Sequence, residues 1–157
     1  MQTQLVRVMA YKFRFYALLK YRQYLLTQAQ TNLATAMSDY EAARTVLENT
    51  TAERDQNILV FQEKQRSGMK ASEYHLFKDY FVSLERQLLE LERGLQELAK
   101  EVEDAKGLLL KRERELKMME ILDAKDQSVF RKEQSKREQV LLDERAIIGD
   151  FRKKVGL

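Results

Sequence analysis

His75 is the one histidine in a chain that has no cysteine. An imidazole with no second histidine and no thiolate to join it has neither a fellow metal ligand nor a nucleophile to activate. It stands just inside the start of a helical stretch, where a surface histidine is the ordinary reading. Carboxylates are abundant, 25 Asp and Glu against 28 Lys and Arg. They fall at ion-pair spacing on helical faces, as Glu113 and Lys117 do at i, i+4, which is the spacing of helix support and not of acid and base. No glycine-rich phosphate loop, nucleophile elbow or metal-spaced ligand cluster occurs. The chain is expected to be no enzyme and to need no metal or cofactor, so its function must lie in surfaces.

The elements that carry those surfaces are helices. The sequence holds no proline and no tryptophan, and 34% of its residues are charged, the profile of long solvent-exposed helices. Apolar residues recur at alternating spacings of three and four. Phe15, Leu19, Leu26, Ala29, Leu33, Ala36, Tyr40, Ala43, Leu47 and Phe61 share one heptad frame, interrupted by Arg22, Thr50, Arg54 and Asn57. Tyr74, Phe77, Phe81, Leu84, Leu88, Leu91, Leu95, Leu98, Val102, Ala105, Leu109, Leu116 and Met119 share a second, with Arg112 the polar intruder. Such seams predict left-handed coiled-coil packing.

Between the frames lies Arg66-Ser67-Gly68-Met69-Lys70-Ala71-Ser72. Gly68 can take the left-handed conformation that ends a helix, and Ser72 is the expected cap of the next. A short connection makes the two helices antiparallel neighbours. A turn centred near Met69 sets Phe61 against Phe77, Leu47 against Leu91, Tyr40 against Leu98 and Leu33 against Ala105, so two independently read frames agree on one register. The expected fold is all-α, one long antiparallel two-helix coiled-coil hairpin over residues 1–157. Helix 1 covers about 10–66, the turn about 67–72 and helix 2 about 73–151, helix 2 extending beyond helix 1.

Two places break the pattern. Leu88, Leu84 and Phe81 face Thr50, Arg54 and Asn57, so either Val46, Ile58 or Leu59 rotates inward, or Phe81 and Leu84 with Tyr80 form an apolar patch for a partner. Arg22, Arg112 and Asp123 are expected to loosen the other end. From about Lys136 onward helix 2 has no partner in its own chain, yet Val140, Leu141, Leu142, Ile147, Ile148 and Phe151 return as an apolar stripe that needs cover. Fraying, a homodimer or a docked protein would each answer that need.

Charge is uneven within a net balance of +3. Residues 1–38 hold Arg7, Lys12, Arg14, Lys20 and Arg22 without an acid, and Arg145, Arg152, Lys153 and Lys154 are near the other terminus. Antiparallel pairing is expected to bring both to one basic tip that steers toward an acidic partner. Lys12, Phe13, Arg14 and Phe15 could also anchor to anionic lipid, but the basic residues are few for a dedicated membrane or nucleic-acid binder. No apolar run reaches the roughly 20 residues that span a bilayer, and the secretory-signal pattern is missing, so a cytoplasmic protein is expected.

Three groups of residues carry a family resemblance: Met9-Ala10-Tyr11-Lys12-Phe13-Arg14-Phe15 with Leu18-Leu19, Ala29-Gln30 and Leu33-Ala34; the turn glycine followed by Tyr80-Phe81-Val82-Ser83-Leu84-Glu85; and Leu141-Leu142-Asp143-Glu144 followed by Phe151. In order and spacing the chain resembles the flagellar export protein family FliJ, which is similar to the virulence-secretion stalk YscO. The likeness starts at Met9 and leaves residues 1–8 as an extension or alternative start. It implies a non-enzymatic central stalk of the type III export apparatus, monomeric alone and peripheral at the inner face of the membrane. The implied partners are an export ATPase hexamer (FliI-like), an export gate protein (FlhA-like) and export chaperones. The implied gate surface comprises Tyr80, Phe81 and Leu84, with Gln87 standing where a small residue is expected. The implied ATPase surface is the terminal tip, Phe13, Arg14, Phe15, Val140, Leu141, Ile147, Ile148 and Phe151.

Overall fold

The computed structural model describes residues 10–156; what the sequence suggests of residues 1–8 lies outside the described residues. Two helices, α1 (Tyr16–Ser67) and α2 (Ala71–Val155), pack against each other as a coiled-coil hairpin whose second helix is the longer. Among the described residues there is no strand. The chain divides into two compact units, Leu25–Arg112 and the pairing of Met1–Tyr24 with Glu113–Leu157.

In the first of these units the predicted seam is the observed one. Leu84, Leu88, Val102 and Ala29 are buried, and Leu33, Ala36, Tyr40, Ala43, Leu47, Phe77, Leu91, Leu95, Leu98 and Ala105 are half-buried along the same line. Half-burial is what one neighbouring helix can give, since each side chain is covered on one side only. Phe61 reaches across to Phe77 with ring centroids 5.3 Å apart, the pairing that the shared register requires. Phe81 and Tyr74 close on Phe61 at 5.8 and 5.9 Å, so four rings clasp the two helices beside the turn. Edge and tilted contacts of this kind add about 0.5–1.5 kcal/mol each beyond the area they bury.

The turn is tighter than the sequence suggests. It comprises residues 68–70, with Gly68 at φ 101°, a conformation that L side chains rarely adopt. Ser72 is not the cap. The Lys70 carbonyl accepts from the Tyr74 amide at 3.1 Å, and the Glu73 carboxylate reaches back to accept from the Lys70 amide at 3.3 Å. That return bond is half of a capping box, and it sets a negative charge in the first turn of α2, where the helix dipole favours it.

The polar residues facing Leu84 and Leu88 do not rotate out of the seam. Val46 and Leu59 stay exposed, and only Ile58 turns partly inward. Thr50 and Thr51 donate their hydroxyls to the carbonyls of Val46 and Leu47, both at 2.8 Å, so neither asks anything polar of α2. Arg54 turns its guanidinium to Asp55 at 2.8 Å and borders Leu88, so its aliphatic stem is free to cover apolar surface. Leu84 is therefore only 4% exposed.

In the second unit α1 starts at Tyr16 and not near residue 10. No acidic residue occupies its first turn. Its start is fixed by Phe13, which is 6% exposed and whose carbonyl accepts from the Tyr16 amide at 3.2 Å. Residues 10–13 are irregular and run along α2. The seam intruders here are matched, not loose: Arg22 pairs with Glu115 across the helices, and Asp123 accepts from the Tyr11 hydroxyl at 2.7 Å. The Glu113–Lys117 pair does not form, and Lys117 lies 3.8 Å from Glu120 instead.

Gly68→Ala is expected to destabilise the hairpin by about 1–2 kcal/mol, because a Cβ is unfavourable at positive φ even where space is open. Thermal melting followed by circular dichroism checks it, and an unchanged midpoint would contradict the turn described here.

Candidate functional site

The structure offers two partly apolar surfaces, one in each unit. The first lies beside the turn. Tyr80 is half-buried, and its hydroxyl donates to Glu53 at 2.8 Å while accepting from the Asn57 amide at 3.0 Å. The Asn57 amide also donates to the Glu53 carbonyl at 3.0 Å, closing a small network across the two helices. The hydrogen bond to the Glu53 carboxylate, then desolvation, raises the Tyr80 pKa above the ordinary 10.0, so its ring is held in one orientation by a phenol that stays protonated. Asn57, Leu76, Phe77 and Tyr80 line one shallow groove there, and Leu76 is 70% exposed.

Of the residues assigned to this surface from sequence, Tyr80 lines it, Phe81 packs on Phe61 across the seam, and Leu84 does not reach it. Leu84 faces α1 in the seam and has no surface to give a partner. Sequence reasoning missed Leu76, which is off the heptad frame, and left out the α1 side, which is Glu53 and Asn57. The signal for Asn57 was available, since the register that pairs Phe61 with Phe77 also sets Asn57 opposite Phe81.

The second surface is the far part of α2. Every described residue from Ser135 onward is exposed. Ile147 and Phe151 are 69% and 67% exposed, and Val140, Leu141, Ile148 and Val155 are exposed to a lesser degree. Lys136, Arg137, Val140 and Leu141 line a shallow apolar groove at its start.

The other residues expected at this terminal tip lie elsewhere. Phe13 is buried, Arg14 stacks over the Phe15 ring at 4.7 Å, and Arg14 borders Asp126 and Glu133. Tyr11 packs on Phe130 at 5.5 Å. Ile147 is about 25 Å further along α2 than Phe130 at 1.5 Å per residue, so Phe13, Arg14 and Phe15 do not form one tip with the apolar stripe. The cause is the anchoring of Tyr11 and Phe13, which holds these residues beside Asp123 and Phe130. Desolvation, then the hydrogen bond to Asp123, pushes the Tyr11 pKa up to about 12.

The family model for the flagellar FliJ protein matches residues 11–154. The chain belongs to the FliJ family. No curated protein and no solved structure matches it. Membership in the FliJ family makes this chain a component of flagellar protein export by type III secretion, a non-catalytic one that associates with the export apparatus. His75 is exposed with its ring against Tyr74. Among the described residues no group of three or more His, Cys, Asp or Glu is placed to hold a metal ion, and no helix is long and apolar enough to cross a membrane.

Two measurements follow from this geometry. Tyr11, followed by ring-proton resonances, is expected to titrate at about 12. An acid whose folded pKa is raised adds stability that is whole below the ordinary 10.0 and lost as the pH rises through the folded value. Asp123→Asn should move the midpoint down, and an unshifted Tyr11 would refute the anchor. Leu84→Ala should cost about 2–4 kcal/mol as a core truncation, while Leu76→Ala should leave the melting midpoint within about 0.5 kcal/mol of wild type.

Proposed function

We propose that this chain is the central stalk of the flagellar export machine, coupling an export ATPase ring (FliI-like) to the export gate (FlhA-like) and handling export chaperones. The observation that carries the reading is the length of α2 that leaves its partner behind. From Ser135 it is exposed on all sides and carries an apolar stripe, and an unpartnered amphipathic helix gains stability by burial in a groove or channel of another protein. A single helix has no rotational symmetry. Entering a symmetric ring, it would touch the subunits unequally, so hydrolysis in the ring could bias which subunit it contacts while the chain itself does no chemistry.

The groove at Asn57, Leu76, Phe77 and Tyr80 is the surface proposed for the gate. It offers an apolar floor with a fixed phenol at its edge, the composition of a small protein–protein contact. Its two roles place the chain in the cytoplasm, peripheral to the membrane-bound apparatus.

Turnover of the cognate export ATPase should rise when the full chain is added and stay at its basal rate with a truncation that ends before Val140. Stimulation by the truncated chain would remove the ATPase role from the stripe. Leu76→Glu should weaken binding to the gate protein by about tenfold or more with unchanged helicity; undiminished binding would remove the gate from this groove.

A further inference from the structure

The stripe beyond Ser135 carries a charge on its apolar midline. At about 3.6 residues per turn Arg137, Glu144 and Phe151 run down its midline, with Val140 and Ile147 on one side and Leu141 and Ile148 on the other. The helical neighbours of Glu144 at three and four residues are Val140, Leu141, Ile147 and Ile148. All four are apolar, so the nearest cation on α2 is the adjacent Arg145 at the edge of the stripe. A partner that covers the midline and brings a positive group to Glu144 is favoured over one that does not, since an acid enclosed by apolar side chains without a counter-charge is strongly unfavourable.

The same chain carries that group two turns earlier. Lys136-Arg137-Glu138 and Asp143-Glu144-Arg145 are opposite in sign at every position and separated by one heptad. Lys136 and Asp143 share one edge of the stripe, Glu138 and Arg145 the other. In an antiparallel pair related by a two-fold axis, like edges meet like edges. With the axis at Val140 and Leu141, Lys136 meets Asp143 of the second copy, Arg137 meets Glu144, and Glu138 meets Arg145, each twice. Val140 and Leu141 close the centre.

Other self-pairings lack this match. A parallel pair sets Arg137 on Arg137 and Glu144 on Glu144. An antiparallel pair centred on Ile147 and Ile148 brings Arg145 to Arg152 and Asp143 to Asp150. We infer that the exposed end of α2 pairs antiparallel with the same segment of a second copy of this chain about Val140 and Leu141, with Arg137 on Glu144. This does not rest on the ATPase reading, because the test below contains no ATPase. Where both hold, one face serves two partners in turn, and the dimer is the form of the chain outside the ring.

The full chain in analytical ultracentrifugation should sediment as a concentration-dependent dimer at micromolar levels. Glu144→Arg and Arg137→Glu should each weaken the dimer by about tenfold or more, and the double exchange should restore it. These residues are exposed and outside the seam, so helicity should be unchanged in all four proteins. The chain has no cysteine, so Val140→Cys should link two copies under oxidation while Val155→Cys should not. A wild-type monomer at tens of micromolar, a dimer indifferent to Glu144→Arg, or ready linking through position 155 would each overturn the inference.

Discussion

A hairpin of two helices has one seam, and every seam side chain has one neighbouring helix to cover it. That constraint governs the molecule. Among the described residues only Phe13, Ala29, Leu84, Leu88 and Val102 are buried, and the remaining heptad residues give up part of their apolar surface to water. Stability is then spread thinly along the length, and polar residues are admitted to the seam where most can be satisfied at once. Thr50 and Thr51 do so on their own helix, Asn57 through Glu53 and Tyr80 and Asp123 through Tyr11, while Arg22 pairs with Glu115 through one terminal nitrogen and keeps its Nε buried without a hydrogen-bond partner. The apolar side chains outside the seam stay on the surface as faces.

The faces differ in kind. The groove at Leu76 and Tyr80 is built, because a hydrogen-bonded phenol and the Phe61 cluster hold its floor in place. The stripe from Val140 to Val155 is unbuilt: it is a helix whose apolar side has nothing against it. A rigid patch suits a partner that must recognise a fixed shape, and a bare helix suits one that supplies the shape itself.

The helical frame was legible because a heptad is a local pattern, and local patterns survive translation into structure. Phe61 with Phe77 followed from two frames that had to meet at one turn. Features made by contacts distant in sequence were not legible. Tyr11 and Asp123 are 112 residues apart, and nothing in the composition of either segment announces that they meet, so the start of α1 and the separation of Phe13, Arg14 and Phe15 from the stripe were misjudged. Leu84 was assigned to a surface because Arg54 and Asn57 looked unable to cover it. Heptad reading scores Arg54 as polar, whereas its stem is three carbon atoms of cover with a charged end that Asp55 takes away. Ser72 was preferred as a cap on residue type, while Glu73 did the capping by reaching backward to Lys70.

The aromatic clasp beside Gly68 also bears on how the hairpin assembles. Phe61 and Phe77 bracket a short span that includes the turn, so bringing them together costs little chain entropy compared with joining more distant pairs. Once they meet, each further heptad layer adds to an ordered neighbour and closes no new large loop. The turn end therefore serves as the nucleus from which pairing zips outward through Leu25–Arg112, and loss of a single distant seam contact there would speed unfolding more than it slowed folding.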